Sequence, residues 1–377
     1  MYYFDHSATT KPHKEVLETF VKVNEEFFAN PASIHELGVE AHTLLSRARK
    51  QVADMLGTDE TKVIFTSGGT ESNHFAIHGV AKNLQSRGKH IITSSIEHPS
   101  VLEAMKQLEH QGFEIEVLAV NEKGLISVED VKASLRKDTI LVSIMHINNE
   151  LGSIQPIKEL ATMIHQNSRA VFHVDAVQSF GKYPVSFVTL GVDLLTLSAH
   201  KFNGLKGSGI VAWKDHVSFE PVIVGGGQEF GLRSGTVAVA QAVSFAKAMR
   251  LASENQAKML SKYVQWNEKL RSSLQGYRNV RILSSNEAAA HILTISVRHL
   301  KGEVLVNALQ AKEIIVSTSS ACSSKQTKTS HVIKSIGLPD DYIRGVIRIS
   351  LGTSNTDEQI DHFIESFSSI MKQVKGE

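Results

Sequence analysis

Cysteine is almost absent from this chain of 377 residues, which contains one, Cys322. A single thiol cannot form a disulfide within the chain or build a multi-cysteine zinc or iron–sulfur site from one chain. Cys322 must therefore act alone if it acts at all. The segment around it, SSACSSKQTKTS at 319–330, is polar, whereas a buried structural cysteine usually lies in an apolar run. This setting predicts an exposed, mobile thiol.

An excess of charge of one sign is also lacking, since 40 Lys and Arg residues face 39 Asp and Glu residues. Nucleic-acid binding driven by bulk charge needs a surplus of cations, so we expect no direct nucleic-acid partner. No stretch approaches the ~18 consecutive apolar residues of a membrane span. The N-terminus, MYYFDHSATTKPHKE, lacks a basic segment followed by an apolar run. We therefore expect a cytoplasmic protein without a membrane partner.

Metal-ligand spacing is missing too, although the chain has 18 histidines. No H-E-x-x-H or comparable pair is present, and His35, His42, His74 and His78 fall on helix-like segments where surface or core roles dominate. The sequence predicts no metal site.

Short β-branched runs that alternate with helical patterns fill the first two thirds of the chain. The runs lie at 62–67, 90–95, 114–120, 139–145, 170–176, 193–200 and 209–214. Such alternation is typical of βαβ crossovers, and it predicts an α/β fold whose large domain has a mostly parallel, helix-covered sheet.

A stretch without Gly or Pro between Gly235 and Gly276 predicts one long helix or a kinked helix pair that leaves the large domain. Beyond it, strand-like and helical patterns at 291–297, 302–310, 313–319, 345–352 and from about Asp357 predict a smaller C-terminal α/β domain. We assign 14–258 to the large domain and 259–377 to the small one. Residues 1–13 are expected to pack with the small domain.

The segment TSGGTESN at 66–73 follows a predicted strand and opens a helix. Backbone N–H groups of Gly68, Gly69 and Thr70 would then point from a helix N-terminus, which suits a phosphate. The spacing matches neither a dinucleotide fingerprint nor a P-loop. The alternative interpretation is a plain turn with a Thr cap.

Two charged residues, Asp175 and Lys201, lie at the carboxyl ends of predicted parallel strands, where open α/β sheets bind ligands. Ser198 and His200 stand beside the lysine. Solvated strand ends are the alternative, but a phosphate site, a carboxylate and an amine on one edge fit pyridoxal 5'-phosphate. His98, after the strand at 90–95, could stack on the cofactor ring or could cap a helix.

Ten motifs in order complete the picture: DHSATT, ANPASIH, FTSGGTESN, EHPSV, MHINNELG, HVDAVQS, SAHKFNGLKG, RSGT, SSAC and RISLG. Together they resemble the cysteine desulfurases of the class V aminotransferase group, in their NifS/IscS-like subgroup with a long cysteine loop. The resemblance extends from Phe4 to about Gly352. It implies a homodimeric pyridoxal phosphate enzyme with a large cofactor domain and a small domain that carries the catalytic cysteine.

The resemblance also implies a role for each matching residue. Cys322 would be the nucleophile, Lys201 the Schiff-base lysine, Asp175 the partner of the pyridinium nitrogen and His98 the stacking ring. Gln178 would contact the ring hydroxyl, and the phosphate would be held by Gly69, Thr70, Ser198, His200 and, from the other subunit, Thr236. Asn149 would face the cofactor or substrate, and Arg348 would bind the substrate carboxylate with Asn30 nearby. Helix-cap and ion-pair roles are the alternatives for Asn30 and Arg348.

The implied reaction converts L-cysteine to L-alanine and leaves sulfur as a persulfide on Cys322 for an acceptor protein. Alternatives are a selenocysteine lyase or another class V reaction, and, in a different class, a non-catalytic sulfur-carrier scaffold. The presence of Lys201, Asp175 and Cys322 argues against the scaffold.

Two departures from the family pattern bear on this interpretation. Ala199, Asn203 and Leu205 replace the usual Gly, Tyr and Pro around the lysine, so the local rigidity there is in question. Only a few residues follow the closing helix, whereas long-loop members dock an iron–sulfur scaffold partly through an extended tail. We therefore expect a tRNA-thiolating enzyme to be the favoured sulfur acceptor, with an iron–sulfur scaffold as the alternative.

Overall fold

The computed structural model describes residues 1–318 and 329–374. The helices are α1 (Lys14–Glu26), α2 (Glu36–Leu56), α3 (Gly69–Leu84), α4 (Pro99–His110), α5 (Val128–Ser134), α6 (Ile157–Asn167), α7 (Phe187–Leu190), α8 (Val239–Leu274), α9 (Gly302–Gln310), α10 (His331–Ser335), α11 (Asp340–Ile343) and α12 (Asp357–Val374). The strands are β1 (Tyr2–Tyr3), β2 (Val63–Thr66), β3 (His90–Ser94), β4 (Glu114–Leu118), β5 (Thr139–Ser143), β6 (Val171–Asp175), β7 (Leu194–Ser198), β8 (Gly209–Trp213), β9 (Val280–Ile282), β10 (Ile292–Val297), β11 (Ile314–Ile315) and β12 (Val346–Ser350).

A seven-stranded sheet with the order β2-β8-β7-β6-β5-β3-β4 organises the first two thirds of the chain. Only β8 runs antiparallel to its neighbours in this central sheet. Successive side chains of a strand lie on opposite faces of the sheet. Phe172 packs towards α2, α6 and α8 on one face, and Val171 packs towards α3 and α4 on the other. Both faces are therefore covered by helices, which confirms the predicted α/β fold with a mostly parallel sheet.

Helix α8 is one uninterrupted helix of 36 residues, so the single long helix is the correct alternative. Its first half buries Phe245 and Met249 against the central sheet. Its second half buries Tyr263 and Leu270 in a separate core with β10, β12 and α12. The helix thus links two apolar cores, each of which stabilises a different part of it.

The last third of the chain forms a three-stranded antiparallel sheet with the order β12-β10-β9. The strand predicted at 313–319 is short, because only Ile314 and Ile315 pair, in parallel, with β1. Phe4 is fully buried in the core beneath this sheet, so the N-terminal segment packs with C-terminal elements. The domain boundaries at 258 and 259 stay a prediction.

None of the helices described here is long and apolar enough to cross a membrane. Within the same residues, no group of three His, Cys, Asp or Glu side chains could hold a metal ion.

Candidate active site

Helix α3 begins at Gly69 with no side chain capping its first amides. The preceding Gly68 has a φ of 147°, which favours glycine, and a Cβ at Gly209 of β8 would lie 2.7 Å from the Cα atom of Gly68. Ser198 adjoins the turn, since a Cβ at Gly69 would be 3.5 Å from the Ser198 Cβ. Thr70 lies within the helix rather than at its cap. Backbone N–H groups without a side-chain cap, next to the Ser198 hydroxyl, are suited to bind a phosphate group.

Asp175, the last residue of β6, is buried, and both of its oxygens accept hydrogen bonds. Asn73 Nδ2 donates to Oδ2 at 2.7 Å and the Val177 amide donates to Oδ1 at 2.9 Å. Asn73 lies one turn beyond Gly69 on α3, and its Oδ1 accepts from Thr196 Oγ1 at 2.6 Å. The same helix therefore presents the amides at its N-terminus and holds the carboxylate. Sequence analysis missed Asn73, although its spacing from Gly69 was a usable signal.

Lys201 ends the short 3-10 turn Ala199–Lys201 that follows β7. Its Nζ donates to the carbonyl oxygens of Ser7 and Ala8, the latter at 2.8 Å. Gln178 Nε2 donates to the Ser7 carbonyl as well, at 3.0 Å. Gln178 Oε1 is buried without a partner in the described part of the chain. The N-terminal segment therefore lies directly against the lysine and the glutamine.

Ala199, Asn203 and Leu205, the three residues near Lys201 that differ from the family pattern, are accommodated by local contacts. Ala199 is fully buried in the core below the central sheet, and Leu205 packs against that core. Asn203 adopts a φ of 62°, a conformation that asparagine tolerates well. Its amide donates to Thr10 Oγ1 at 2.8 Å and its side chain donates to the Lys11 carbonyl at 2.9 Å. Contacts with the N-terminal segment therefore hold this turn.

His98 caps α4 through Nδ1, which accepts from the Ser100 amide at 3.1 Å. Ser100 Oγ accepts from Asn73 Nδ2 at 2.9 Å, which connects the cap to the group that holds Asp175. Burial lowers the pKa of His98, the charge of Asp175 opposes that shift, and the charge of Lys201 adds to it. His98 therefore caps a helix through Nδ1, as the alternative interpretation predicted. Stacking of the ring on a cofactor stays a prediction.

Glu97 precedes His98 and is completely buried. Burial raises the pKa of its carboxyl group to about 8, and the charge of Asp175 acts in the same direction. Oε1 accepts from Ser94 Oγ at 2.5 Å and from the Met145 amide at 3.0 Å. The Glu97 carbonyl oxygen accepts from His331 Nε2 at 2.9 Å. The Glu97 carboxyl group is therefore held within this edge of the sheet by Ser94 and Met145, while its main-chain carbonyl oxygen contacts α10.

His200 lies in the same turn as Lys201, and its environment favours the neutral ring. Burial lowers its pKa to about 4, and the charge of Lys201 adds to the effect. Its Nδ1 lies 3.2 Å from Thr9 Oγ1, and its carbonyl oxygen accepts from Thr10 Oγ1 at 2.8 Å. The ring is therefore oriented by the N-terminal segment.

Arg348 projects from β12, is buried and contacts two distant segments. Nη1 donates to the Asn149 carbonyl oxygen at 2.9 Å, and Nη2 pairs with Asp5 Oδ1 at 2.8 Å. Nε is buried and has no partner within residues 1–318 and 329–374. The predicted pair Arg348 and Asn149 is therefore brought together. The ion-pair alternative also describes the Asp5 contact.

The segment that contains Cys322 lies outside the described residues at 319–328, but both of its ends are placed. On one side, Ser317 exchanges backbone hydrogen bonds with Arg348, at 2.7 and 3.3 Å. On the other side, Ser330 Oγ donates to the buried Glu150 Oε2 at 2.7 Å. Glu150, which sequence analysis missed, follows Asn149 directly. The ends of the cysteine segment thus meet next to the Arg348 and Asn149 pair.

Asn30 and Thr236 are exposed and line a shared cavity of about 300 Å³. Asn30 Oδ1 accepts from the Ala32 amide at 3.0 Å, so it supports a turn. Arg233, in the same RSGT segment as Thr236, pairs with Glu71 in the first turn of α3 at 2.8 Å. The segment is therefore tied to the helix that begins at Gly69. Contact of Thr236 with a phosphate of another subunit stays a prediction.

Three groups on this sheet edge match the three reactive parts of pyridoxal phosphate. The open N-terminus of α3 suits the phosphate, the buried Asp175 carboxylate suits the pyridine nitrogen, and the Lys201 amine suits the aldehyde. The unpartnered Gln178 Oε1 adds a buried acceptor, as a ring hydroxyl requires. The residues present therefore fit this cofactor.

Comparison with known proteins agrees with this chemistry. The model of the family described as aminotransferase class-V matches residues 2–363. A NifS/IcsS protein homolog of Lactobacillus delbrueckii subsp. bulgaricus is 43% identical, covering 98% of this chain and 97% of the relative. A cysteine desulfurase IscS of Methanosarcina thermophila is 39% identical, covering 99% of this chain and 93% of the relative.

Solved structures show the same relationship. A NifS-like protein superposes with a TM-score of 0.90 at 38% identity, covering 98% of this chain and 99% of the other. SspA in complex with cysteine superposes with a TM-score of 0.82 at 33% identity, covering 93% and 99%. The chain belongs to the class-V aminotransferase family, in the group of NifS/IscS-type cysteine desulfurases.

Proposed function

We propose that the protein is a pyridoxal phosphate-dependent cysteine desulfurase that converts L-cysteine to L-alanine. The observation that carries the proposal is the placement of Lys201, Asp175 and the open N-terminus of α3 on one sheet edge, with Asn73 connecting the last two. Relatives named cysteine desulfurase, and a neighbour solved with cysteine, support the choice of substrate. In the proposed step the Cys322 thiolate bonds to the substrate sulfur while the substrate's C–S bond breaks. The electron pair of that bond stays with the substrate Cβ, which takes up a proton to give L-alanine.

The cofactor, when bound, supplies an electron sink for chemistry at the substrate Cα. We assign its phosphate to the amides of Gly69 and Thr70 together with Ser198, His200 and the partner subunit's Thr236. Asp175 would hold the proton on the pyridine nitrogen, Gln178 would contact the ring hydroxyl, and His98 would stack on the ring. Lys201 would bind the aldehyde carbon and, once released, would move the proton at the substrate Cα through Nζ.

Arg348 is proposed to orient the substrate carboxylate, because its buried Nε has no partner in the described chain while its Nη atoms bind Asn149 and Asp5. Asn149 and Asn30 complete the substrate side. The flanking residues Ser317 and Ser330 bond to Arg348 and Glu150, which supports a proposal that Cys322 acts beside Arg348.

We propose a homodimer as the active assembly. Phe28 is 74% exposed and Ile34 is 98% exposed, although both are apolar. Phe28 lines the same cavity as Asn30 and Thr236. An uncovered apolar surface next to a residue assigned to the other subunit's phosphate fits an interface between two copies.

We also propose that sulfur passes from Cys322 to a separate acceptor protein in the cytoplasm. The sequence around Cys322 is polar and lacks an apolar anchor, which suits presentation to other proteins. A tRNA-thiolating enzyme is the favoured acceptor and an iron–sulfur scaffold the alternative. Mixing persulfidated protein with each acceptor and following the sulfur by mass spectrometry tests this choice. Transfer to the scaffold alone would reverse it.

The activity itself is tested by supplying cofactor and L-cysteine and measuring alanine, sulfide and the mass of the Cys322 peptide. We expect one alanine per sulfur, with one extra sulfur atom on that peptide when reductant is omitted. A keto acid in place of alanine would indicate a transaminase. Preference for L-selenocysteine in competition would indicate a lyase for that substrate, and absence of any cofactor spectrum would indicate a non-catalytic carrier.

A further inference from the structure

A buried carboxyl group lies next to Arg348 without being its ion-pair partner. Glu150 is 6% exposed, and Ser330 Oγ donates to its Oε2 at 2.7 Å. Its main chain is held on both sides, since its amide donates to Asn148 Oδ1 at 2.9 Å and its carbonyl oxygen accepts from Thr294 Oγ1. Thr294 is the residue of β10 that pairs with Arg348 in β12. Glu150 is therefore fixed beside the residue proposed to bind the substrate carboxylate.

The charge of Arg348 is already balanced by another carboxylate. Its Nη2 pairs with Asp5 Oδ1 at 2.8 Å, and its Nη1 donates to the Asn149 carbonyl oxygen at 2.9 Å. Within residues 1–318 and 329–374 Glu150 forms no ion pair, although the charge of Arg348 acts on its carboxyl group. An ionised Glu150 would share one guanidinium with Asp5, and a substrate carboxylate would add a third anion. This balance of charges favours a neutral Glu150.

Arg49 shows how the same fold pairs a buried glutamate when it is ionised. Its two terminal nitrogens donate to the two carboxylate oxygens of Glu229 at 2.7 Å each. Glu150 is as deeply buried as Glu229 but has no such partner in the described chain. Burying an unpaired carboxylate is costly, because the lost hydration is not replaced. Burial accordingly raises the pKa of Glu150 to about 7, against the opposing effects of Ser330 and Arg348.

The other titratable groups near Glu150 do not supply a compensating cation. Asp5 is paired with Arg348, and Tyr3, which interacts with both of them, is neutral because burial raises its pKa to about 12. On α10, Nε2 of His331 is bound to a main-chain carbonyl oxygen at 2.9 Å. The protonation of Glu150 therefore depends on its burial and on the anions gathered at Arg348.

We propose that Glu150 is a positioning residue that keeps the charge of Arg348 available to the carboxylate of L-cysteine. Neutral Glu150 leaves the guanidinium to Asp5 and the substrate, whereas ionised Glu150 competes with the substrate carboxylate for the same cation. Binding of a carboxylate therefore favours the protonated form, so Glu150 takes up a proton from solvent as the carboxylate binds and releases it when the carboxylate leaves. The inference rests on the proposed function, in which Arg348 binds the substrate carboxylate.

Propionate and propionamide are matched probes for the test. Propionate has the carboxylate of L-cysteine but neither its amine nor its thiol, and propionamide lacks the charge. Calorimetry on the cofactor-loaded, full-length protein measures the Kd of each probe over a pH series. We expect the Kd of propionate to rise about tenfold from about pH 6 to about pH 9, while that of propionamide stays constant.

The same titrations, repeated in buffers of different ionisation enthalpy, count the protons taken up. Binding of propionate to the wild type should take up about half a proton near pH 7.5, and binding of propionamide should take up none. Both wild-type results are required even if every Glu150 variant fails to fold.

A variant separates the charge of Glu150 from its structural contact. Glu150→Gln cannot ionise but can still accept from the Ser330 hydroxyl. We expect it to bind propionate as tightly as the wild type near pH 6 and about tenfold more tightly near pH 9. Glu159→Gln, on the exposed side of α6, is the matched control and should keep the wild-type pH dependence. A merely structural role of Glu150 would instead weaken binding at every pH.

A wild-type Kd for propionate that does not change with pH would overturn the inference, as would folded Glu150→Gln that keeps the wild-type pH dependence. Absence of propionate binding in protein that forms alanine would also overturn it. The proposed function fails by a different result, namely the absence of alanine formation from L-cysteine by the cofactor-loaded wild type.

Discussion

The proposed cofactor side of the site and its proposed substrate side are built differently. On the cofactor side, Asp175 and Lys201 follow neighbouring strands of one sheet, and Asn73 on the adjoining helix holds the carboxylate. On the substrate side, Arg348 comes from another sheet and binds Asp5 and Asn149, which are remote from it in sequence.

This difference shows which functions need rigid support. An electron sink works best in one fixed orientation, and the strands that hold Asp175 and Lys201 are completely buried. A substrate carboxylate and a nucleophilic sulfur must be exchanged in each turnover. Their residues lie where the N-terminal segment, β12 and α10 meet. Because the same N-terminal segment accepts hydrogen bonds from Lys201 and Gln178, it connects the two sides.

Removing the lysine from the cofactor side should have the largest effect. We expect Lys201→Ala to lose covalent cofactor attachment and to reduce alanine formation by about 10⁴-fold or more, because anchor and proton carrier disappear together. Borohydride trapping and alanine assays measure this. Lys158→Ala is the matched control and should behave like the wild type. Turnover within tenfold of the wild type would remove Lys201 from the reaction.

Removing the nucleophile from the substrate side should stop sulfur transfer while leaving the chemistry of the cofactor side intact. We expect Cys322→Ser to keep the cofactor spectrum and its change on adding L-cysteine, while sulfide release in the presence of reductant falls by about 100-fold. Absorbance and sulfide assays on the same sample measure both. Sulfide release at the normal rate would show that Cys322 is not the sulfur acceptor.

Weakening the contact between Arg348 and the substrate carboxylate should affect substrate binding more than the chemical step. Arg348→Lys keeps the charge but loses the planar donor set, so we expect KM for L-cysteine to rise about 10- to 100-fold with a smaller change in kcat. Steady-state kinetics measure the separate changes in KM and kcat. Cofactor affinity is the internal control and should stay constant. An equal loss in kcat with unchanged KM would place Arg348 on the cofactor side.

Loosening the support of Asp175 should have a moderate effect. Asn73→Ala removes the donors to Asp175 and Ser100 and the acceptor for Thr196, so we expect kcat to fall about tenfold and cofactor binding to weaken. Asn73→Asp would place a second carboxylate at 2.7 Å and should be worse. Cofactor titration and kinetics on both variants measure this. A lower kcat in Asn73→Ala than in Asn73→Asp would contradict the expected repulsion between two carboxylates.

The smallest effect concerns stability at the junction of the two sides. The folded-state pKa of Glu97 is about 8, above its usual 4.5, so the folded protein keeps a proton that the unfolded chain releases. The associated stability is complete below pH 4.5 and is lost as pH rises towards 8. Glu97→Gln mimics the protonated form.

We therefore expect Glu97→Gln to match the wild type near pH 4.5 and to be more stable near pH 8, by about 4 kcal/mol. Urea unfolding at both pH values measures the difference. The exposed Glu109→Gln serves as a control and should give no comparable pH-dependent gain. A Glu97→Gln variant that loses stability as pH rises would contradict the assigned protonation.

The strands and turns of the proposed cofactor side could be predicted because their signals are local. Buried runs such as 170–176 and 193–200 correspond to strands Val171–Asp175 and Leu194–Ser198, and the residues at their ends are the charged groups of the site. The motif around Gly69 likewise predicted a helix start. The strand at 313–319 was predicted too long, since its pairing partner, β1, has only two residues.

The sequence by itself determined the α/β class and the parallel sheet edge on which Asp175 and Lys201 lie, because strand burial and turn chemistry depend on neighbouring residues. Only the tertiary structure decided that Asn73 holds Asp175, that Asp5 pairs with Arg348, that Glu97 is buried with its proton and that Ser330 contacts Glu150. These contacts join distant segments, and their energies depend on burial, which no local pattern records.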